Sequence, residues 1–172
     1  MRRHRAITAA VAAGLLLTVA ACSKESDTPT MTQAQAKQQT VDYMGQALAE
    51  LPQPVTTASE REDGTNCFKN DAPSEYDGRV VEVTEKRLSG IPVDRQAEYV
   101  EHLRSRIESM GFQRDDSGAL RTSAHFTNPT NKFAGSIDGI GSSYGTLVIG
   151  FFSPCVWPNG TKPPQPAASE RR

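Results

Sequence analysis

The chain of 172 residues and 18.6 kDa has room for one well-packed domain and not for two. With 37% hydrophobic and 23% charged residues and a mean hydropathy of −0.51, its composition excludes a multi-pass membrane protein. Arg2, Arg3 and Arg5 all fall in an acid-free first 21 residues, so the remainder carries 16 basic against 20 acidic side chains, a net −4, with no electrostatic footprint for nucleic acid.

Residues 1–22 read MRRHRAITAAVAAGLLLTVAAC. The three arginines form a positive n-region, and residues 6–21 make an apolar run of secretory length, too short for a comfortable permanent span. The run stops at Val19-Ala20-Ala21-Cys22, where small residues before a cysteine resemble the bacterial lipobox. That pattern implies transfer of a diacylglyceryl group to the Cys22 thiol, whose thiolate is the nucleophile, and cleavage that makes Cys22 the mature N-terminus. Residues 1–21 are read as a lipoprotein signal peptide and Cys22 as the lipid-attachment residue. Two acyl chains anchor stably where a single chain binds only marginally.

Residues 22–30 follow as a flexible tether. Its polar stretch SKESDTPT has no apolar period and reaches at most about 26–29 Å when extended. At the far end, residues 158–172 contain four prolines and no large apolar side chain, and read as a disordered tail. The folded α+β domain is expected over residues 31–157.

Within it, residues 32–51 place Val41, Met44, Ala47, Leu48 and Leu51 on one helical face, and Pro52 stops the run. Residues 52–74 are mixed and polar around Cys67. Residues 79–88 read as a strand, with Val81 and Val83 opposed to Val80. Asp94 is placed to cap a second helix running to Met110, with Ala97, Val100, Leu103 and Ile107 on its buried stripe. Gly111 then falls where a left-handed residue ends a helix.

Strands are expected next over residues 112–115, 119–127, 132–138 and 144–153. The turn formers Asp116-Ser117-Gly118 and Asn128-Pro129-Thr130-Asn131 separate them. The last strand is the most apolar, with Leu147, Ile149 and Phe151 on one side and Val148 and Phe152 on the other. Both its faces are expected to be covered, at the centre of the sheet. The order of elements predicts a mainly antiparallel sheet of four to five strands with two helices packed on one face.

With Cys22 assigned to lipid, Cys67 and Cys155 remain as an even pair in an exported chain, and a disulfide between them is the expectation. Metal binding and a redox pair are the alternatives, but neither cysteine belongs to a C-x-x-C or lies near a histidine in sequence. The segment Ser153-Pro154-Cys155-Val156-Trp157-Pro158 is either a disulfide-pinned chain terminus or a rigid rim facing a ligand.

Most catalytic motifs fail on context. Gly141-Ser142-Ser143-Tyr144-Gly145 satisfies G-x-S-x-G, yet no helix follows and no histidine lies beyond Ser143, so the nucleophile-elbow reading lacks its partners. Gly139-Ile140-Gly141 also lacks the helix that a dinucleotide site needs. Glu98 and His102 share a helix face without a third ligand marked by spacing, which fits a surface pair better than a metal site. Glu82 and Glu85, at odd separation on a strand, point to opposite faces, and Asp115 with Asp116 begins a turn. His125 stands alone in a strand. No catalytic residue, metal site or cofactor is expected from these patterns.

The lipobox Val19-Ala20-Ala21-Cys22, the polar tether, the helix end at Met110-Gly111-Phe112 and the closing Ser153–Pro158 segment together resemble small actinobacterial lipoproteins. The likeness is to the Lpp-type envelope proteins of mycobacteria and streptomycetes. It implies anchoring on the extracytoplasmic face of the cell membrane and a small α+β domain, with no activity to carry over. The resulting expectation is a non-enzymatic binding module. Its partners are the membrane through lipidated Cys22 and an envelope protein or small ligand, and it is expected to expose one contiguous apolar or aromatic patch, with the neighbourhood of Trp157 as a candidate place. The alternatives are a cell-wall hydrolase or transferase built from dispersed carboxylates or His125, which needs a pocket with perturbed titratable groups, and a small apolar ligand carrier, which needs an enclosed cavity.

Overall fold

A computed structural model describes residues 31–49, 51, 55–69, 74–115, 122–141 and 145–164. Thr32 opens the fold in extended backbone. Its hydroxyl accepts the Gln35 amide, and the Gln35 side chain accepts the Thr32 amide, a reciprocal cap for helix α1, Gln33–Leu48. Ala36, Thr40, Tyr43, Met44 and Ala47 are its buried residues, and Val41, expected inside, is 41% exposed.

Seven strands follow among the described residues, against the four to five expected from sequence. β1 (Thr56–Arg61) and β2 (Gly64–Phe68) occupy the segment read as mixed and polar, and β3 runs over Tyr76–Ser89. β1 and β2 line one edge of β3 in succession, both antiparallel, with the Asp63 carbonyl accepting the Val83 amide between them. Together they make one long hairpin with an irregularity in the middle. After β3, a 3-10 turn over Val93–Arg95 precedes helix α2, Gln96–Ser109. Asp94 therefore lies in that turn, and the N-cap position falls on Arg95 with no side-chain cap bond. Gly111, at φ +86°, ends α2 in the left-handed conformation expected of it.

The remaining strands are β4 (Gln113–Asp115), β5 (Ser123–Thr127), β6 (Ala134–Asp138) and β7 (Leu147–Phe152). The sheet order is β1-β3-β7-β6-β5-β4, with every pairing antiparallel. Both helices pack on one face, against Leu88, Ala124, Phe126, Ile137, Leu147, Ile149 and Phe151, in a single core with Tyr99, Leu103 and Ile107. The domain is α+β, with an antiparallel sheet covered on one side.

Among the described residues no helix lies over the opposite face. β7 is interior, between β3 and β6, but its two sides differ: Leu147, Ile149 and Phe151 are buried, while Val148 and Phe152 are half-buried. The Phe152 ring folds back over Gly150, where an added Cβ would stand 3.0 Å from it. That glycine lets the aromatic side chain shield its own strand.

Candidate functional site

β3 is 14 residues long, and only its second half is flanked by β7, from Val83 to Leu88. The first half pairs with β2 on one side. On the other it meets the chain again at Val80 and Val156, whose backbones exchange two 2.9 Å hydrogen bonds. The distal hairpin thus reaches past the end of β7 and is held there by the closing segment. Cys67, 4% exposed on β2, completes the clamp through a disulfide to Cys155. Of the alternatives for Ser153–Pro158, the pinned terminus accounts for this geometry.

At the end of this clamped hairpin Phe68 and Tyr76 are directly opposed across the strands. Their ring centroids are 4.9 Å apart, and the residues are 49% and 60% exposed. Aromatic pairs of this size normally lie inside a fold or an interface, and exposed ones mark contact surfaces. Trp157, half-buried, lies over Gly78, where a Cβ would come within 3.3 Å of its ring. Below the pair, Lys69 bonds Glu75 at 2.6 Å. Sequence reasoning placed the patch near Trp157 and missed Phe68 and Tyr76. The signal that could have found them is two aromatics flanking the turn-forming Asn70-Asp71-Ala72-Pro73.

Asp77 and Arg79 brace the same hairpin. The Asp77 carboxylate accepts the Arg79 amide and guanidinium, each at 2.8 Å, and its side chain is only 10% exposed. Desolvation pushes its acidity towards the neutral form, but the bonds from Arg79 outweigh that and hold its pKa below the usual aspartate value. A depressed folded-state pKa stabilises above the unfolded value and is lost as pH falls through the folded one. The wild-type melting temperature is therefore expected to fall below about pH 4 more steeply than that of Asp77→Asn. Parallel acid profiles of the two proteins would remove Asp77 from the account.

The other sequence candidates are dispersed. Cys22 and Ser143 lie outside the described residues, as does Asp116. Glu98 pairs with Arg95, whose guanidinium holds the Glu98 pKa low. His102 turns away to the Ala49 carbonyl at 3.3 Å. Glu60 is likewise held low by Arg87. Glu82 and Glu85 do face opposite sides, Glu82 being buried at 2% and Glu85 paired across with Gly150 on the uncovered face.

Strand register sets Asp115, His125 and Ser136 in one row on that uncovered face. No hydrogen bond joins His125 to Ser136 among the described residues, although a nucleophile and its base need one. A cleft of about 430 Å³ lies elsewhere, between α2 and Ile140, lined by Val93, Ala97 and Val100 with Asp94 and Arg104. None of Glu60, Asp77 and Glu98, the carboxyls with shifted acidity, lines it. No protein-family model, no curated protein and no solved structure matches the chain.

Proposed function

We propose that the chain is an extracytoplasmic lipoprotein, anchored to the cell membrane through Cys22, whose α+β domain is a non-enzymatic binding module of the envelope. The lipobox and its resemblance to actinobacterial envelope lipoproteins support the anchor. The observation that carries the binding role is the exposed Phe68–Tyr76 pair on a hairpin immobilised by Cys67–Cys155. A rigid aromatic contact loses little conformational entropy when buried by a partner, so this end is assigned to an envelope protein.

Two measurements test the reading. Intact mass and fractionation should show a lipid-sized increment and membrane association in the native protein, both lost in Cys22→Ala. A photo-crosslinking residue at position 76 should give one discrete adduct in intact cells, abolished by Phe68→Ala, while one at position 125 gives none. An unlipidated soluble protein would overturn the anchor. Equal crosslinking from both positions would overturn the aromatic docking end.

A further inference from the structure

Glu82 is the most deeply buried acid among the described residues, at 2% exposure, and nothing in the binding role above uses it. Its Oε1 accepts one hydrogen bond, from the Gln33 side-chain Nε2 at 2.7 Å. No cation among the described residues lies within ion-pair distance. The backbone at this position is fixed: the Glu82 amide donates to Ser153 Oγ at 2.8 Å, and the Glu82 carbonyl accepts the Ser153 amide at 2.9 Å. Gly64, directly opposite on β2, leaves the space the carboxylate occupies, since a Cβ there would stand 2.6 Å from Oε1. Among the described residues this carboxylate is met by one neutral side-chain donor and by no cation.

A cleft of about 400 Å³ opens over this carboxylate, between the first turn of α1 and the chain after Trp157. Gln33, Lys37, Gly64, Pro158 and Asn159 line it with Glu82, and the Gln33 backbone N–H donates to the Pro158 carbonyl at 3.2 Å to close one end. Lys37, one helical turn after Gln33, adds an exposed cation to the same wall. The volume is at the small end of ligand sites.

We propose that this cleft binds a small zwitterion, with its primary ammonium on Glu82 and its anionic group on Lys37. The ammonium supplies the charge and the several donors that the carboxylate lacks. A quaternary ammonium is the wrong fit, because it has no N–H to donate and is recognised by aromatic walls, and no aromatic side chain among the described residues lines the cleft. The same chemistry is found in a free amino acid or O-phosphoethanolamine and in a phosphatidylethanolamine headgroup. Gln33 lies three residues after the end of the tether read over residues 22–30, so either source can reach the site. The proposal does not depend on the aromatic end or on lipidation.

The test uses the full oxidised chain. Calorimetric titration with O-phosphoethanolamine, glycine, ethylamine and phosphocholine is paired with sedimentation on vesicles of phosphatidylethanolamine in phosphatidylcholine, or of phosphatidylcholine alone. At least one primary-ammonium zwitterion, free or in the vesicle, should bind about tenfold or more tightly than ethylamine and than the choline counterpart. Glu82→Gln should remove that binding. Lys37→Ala should bring the zwitterion down to the level of ethylamine. Gly64→Ala keeps the charge but displaces the carboxylate, and should weaken binding even if Glu82→Gln proves unfolded. Binding of the free compounds identifies a soluble source, and binding only to the ethanolamine vesicles identifies the headgroup. Absence of both, or affinity unchanged in Lys37→Ala and Gly64→Ala, overturns the proposal.

Discussion

Replacing Cys67 and Cys155 together by serine is expected to lower the thermal midpoint by on the order of 10–20 °C. The bridge spans a sequence separation of 88, and the chain-entropy relation gives about 4–5 kcal/mol for a loop of that length, with each kcal/mol worth several degrees in a domain of this size. Everything from β3 to β7 lies inside the loop, so opening it frees most of the chain in the unfolded state. The native-state effect is local. Without the bridge, the distal hairpin keeps the two Val80–Val156 hydrogen bonds and the two between Glu82 and Ser153. Hydrogen exchange at the Val80 and Val156 amides should therefore accelerate under mild conditions, while Leu88 and Ile149 exchange only through global unfolding. A midpoint shift of less than about 3 °C, or equal acceleration at all four amides, would show that the hairpin end does not need its clamp.

The elements that sequence periodicity reveals are those whose apolar spacing meets one buried surface. Val100, Leu103 and Ile107 mark α2 in this way, and alternating Leu147, Ile149 and Phe151 mark β7. In α1 the stripe is misplaced because a polar residue takes a core position. Thr40 is fully buried and its hydroxyl meets that of Thr84 at 2.8 Å. A hydroxyl satisfied across the interface is as compatible with the core as a methyl group, while Val41 next to it faces out. β1 and β2 escape notice for a related reason. They lie on a sheet edge where Cys67 is the one residue of β2 to be buried, so there is no alternation to read. Their existence follows from β3, whose 14 residues need an edge partner along their length.

The disulfide was legible by counting cysteines once Cys22 is read as lipidated, which leaves Cys67 and Cys155 as an even pair. The candidate contact surface was legible only in its neighbourhood, because Trp157 is near it in space and Phe68 and Tyr76 are far from Trp157 in sequence. Glu82 shows the same limit from the other side. Odd spacing from Glu85 assigns the two carboxylates to opposite faces. It does not say which face is buried, and that depends on Gly64 opposite and on where Gln33 begins α1.

The two aromatics that end β7 should behave very differently when truncated. Phe151 is fully buried and packs at 5.7 Å, centroid to centroid, against both Tyr43 and Phe112, with its ring edge over Gly135. Tyr43 in turn meets Phe112 and Phe133, and its hydroxyl accepts the Asn131 amide at 2.7 Å. Phe151→Ala leaves a cavity where α1, β6 and the entry to β4 converge, and it should cost about 3–5 kcal/mol in denaturant unfolding. Phe152 shields Gly150 on the face that no helix among the described residues covers, and Phe152→Ala should cost about 1–1.5 kcal/mol. The comparison decides whether this sheet has one core face or two. Equal losses would require a second covering layer over Val148 and Phe152 in solution, and the row of Asp115, His125 and Ser136 would then lie beneath it. Unequal losses leave Asp115 and His125 exposed beside a buried Ser136, and an imidazole in water without a hydrogen bond to that hydroxyl has no means of excluding solvent from a reaction.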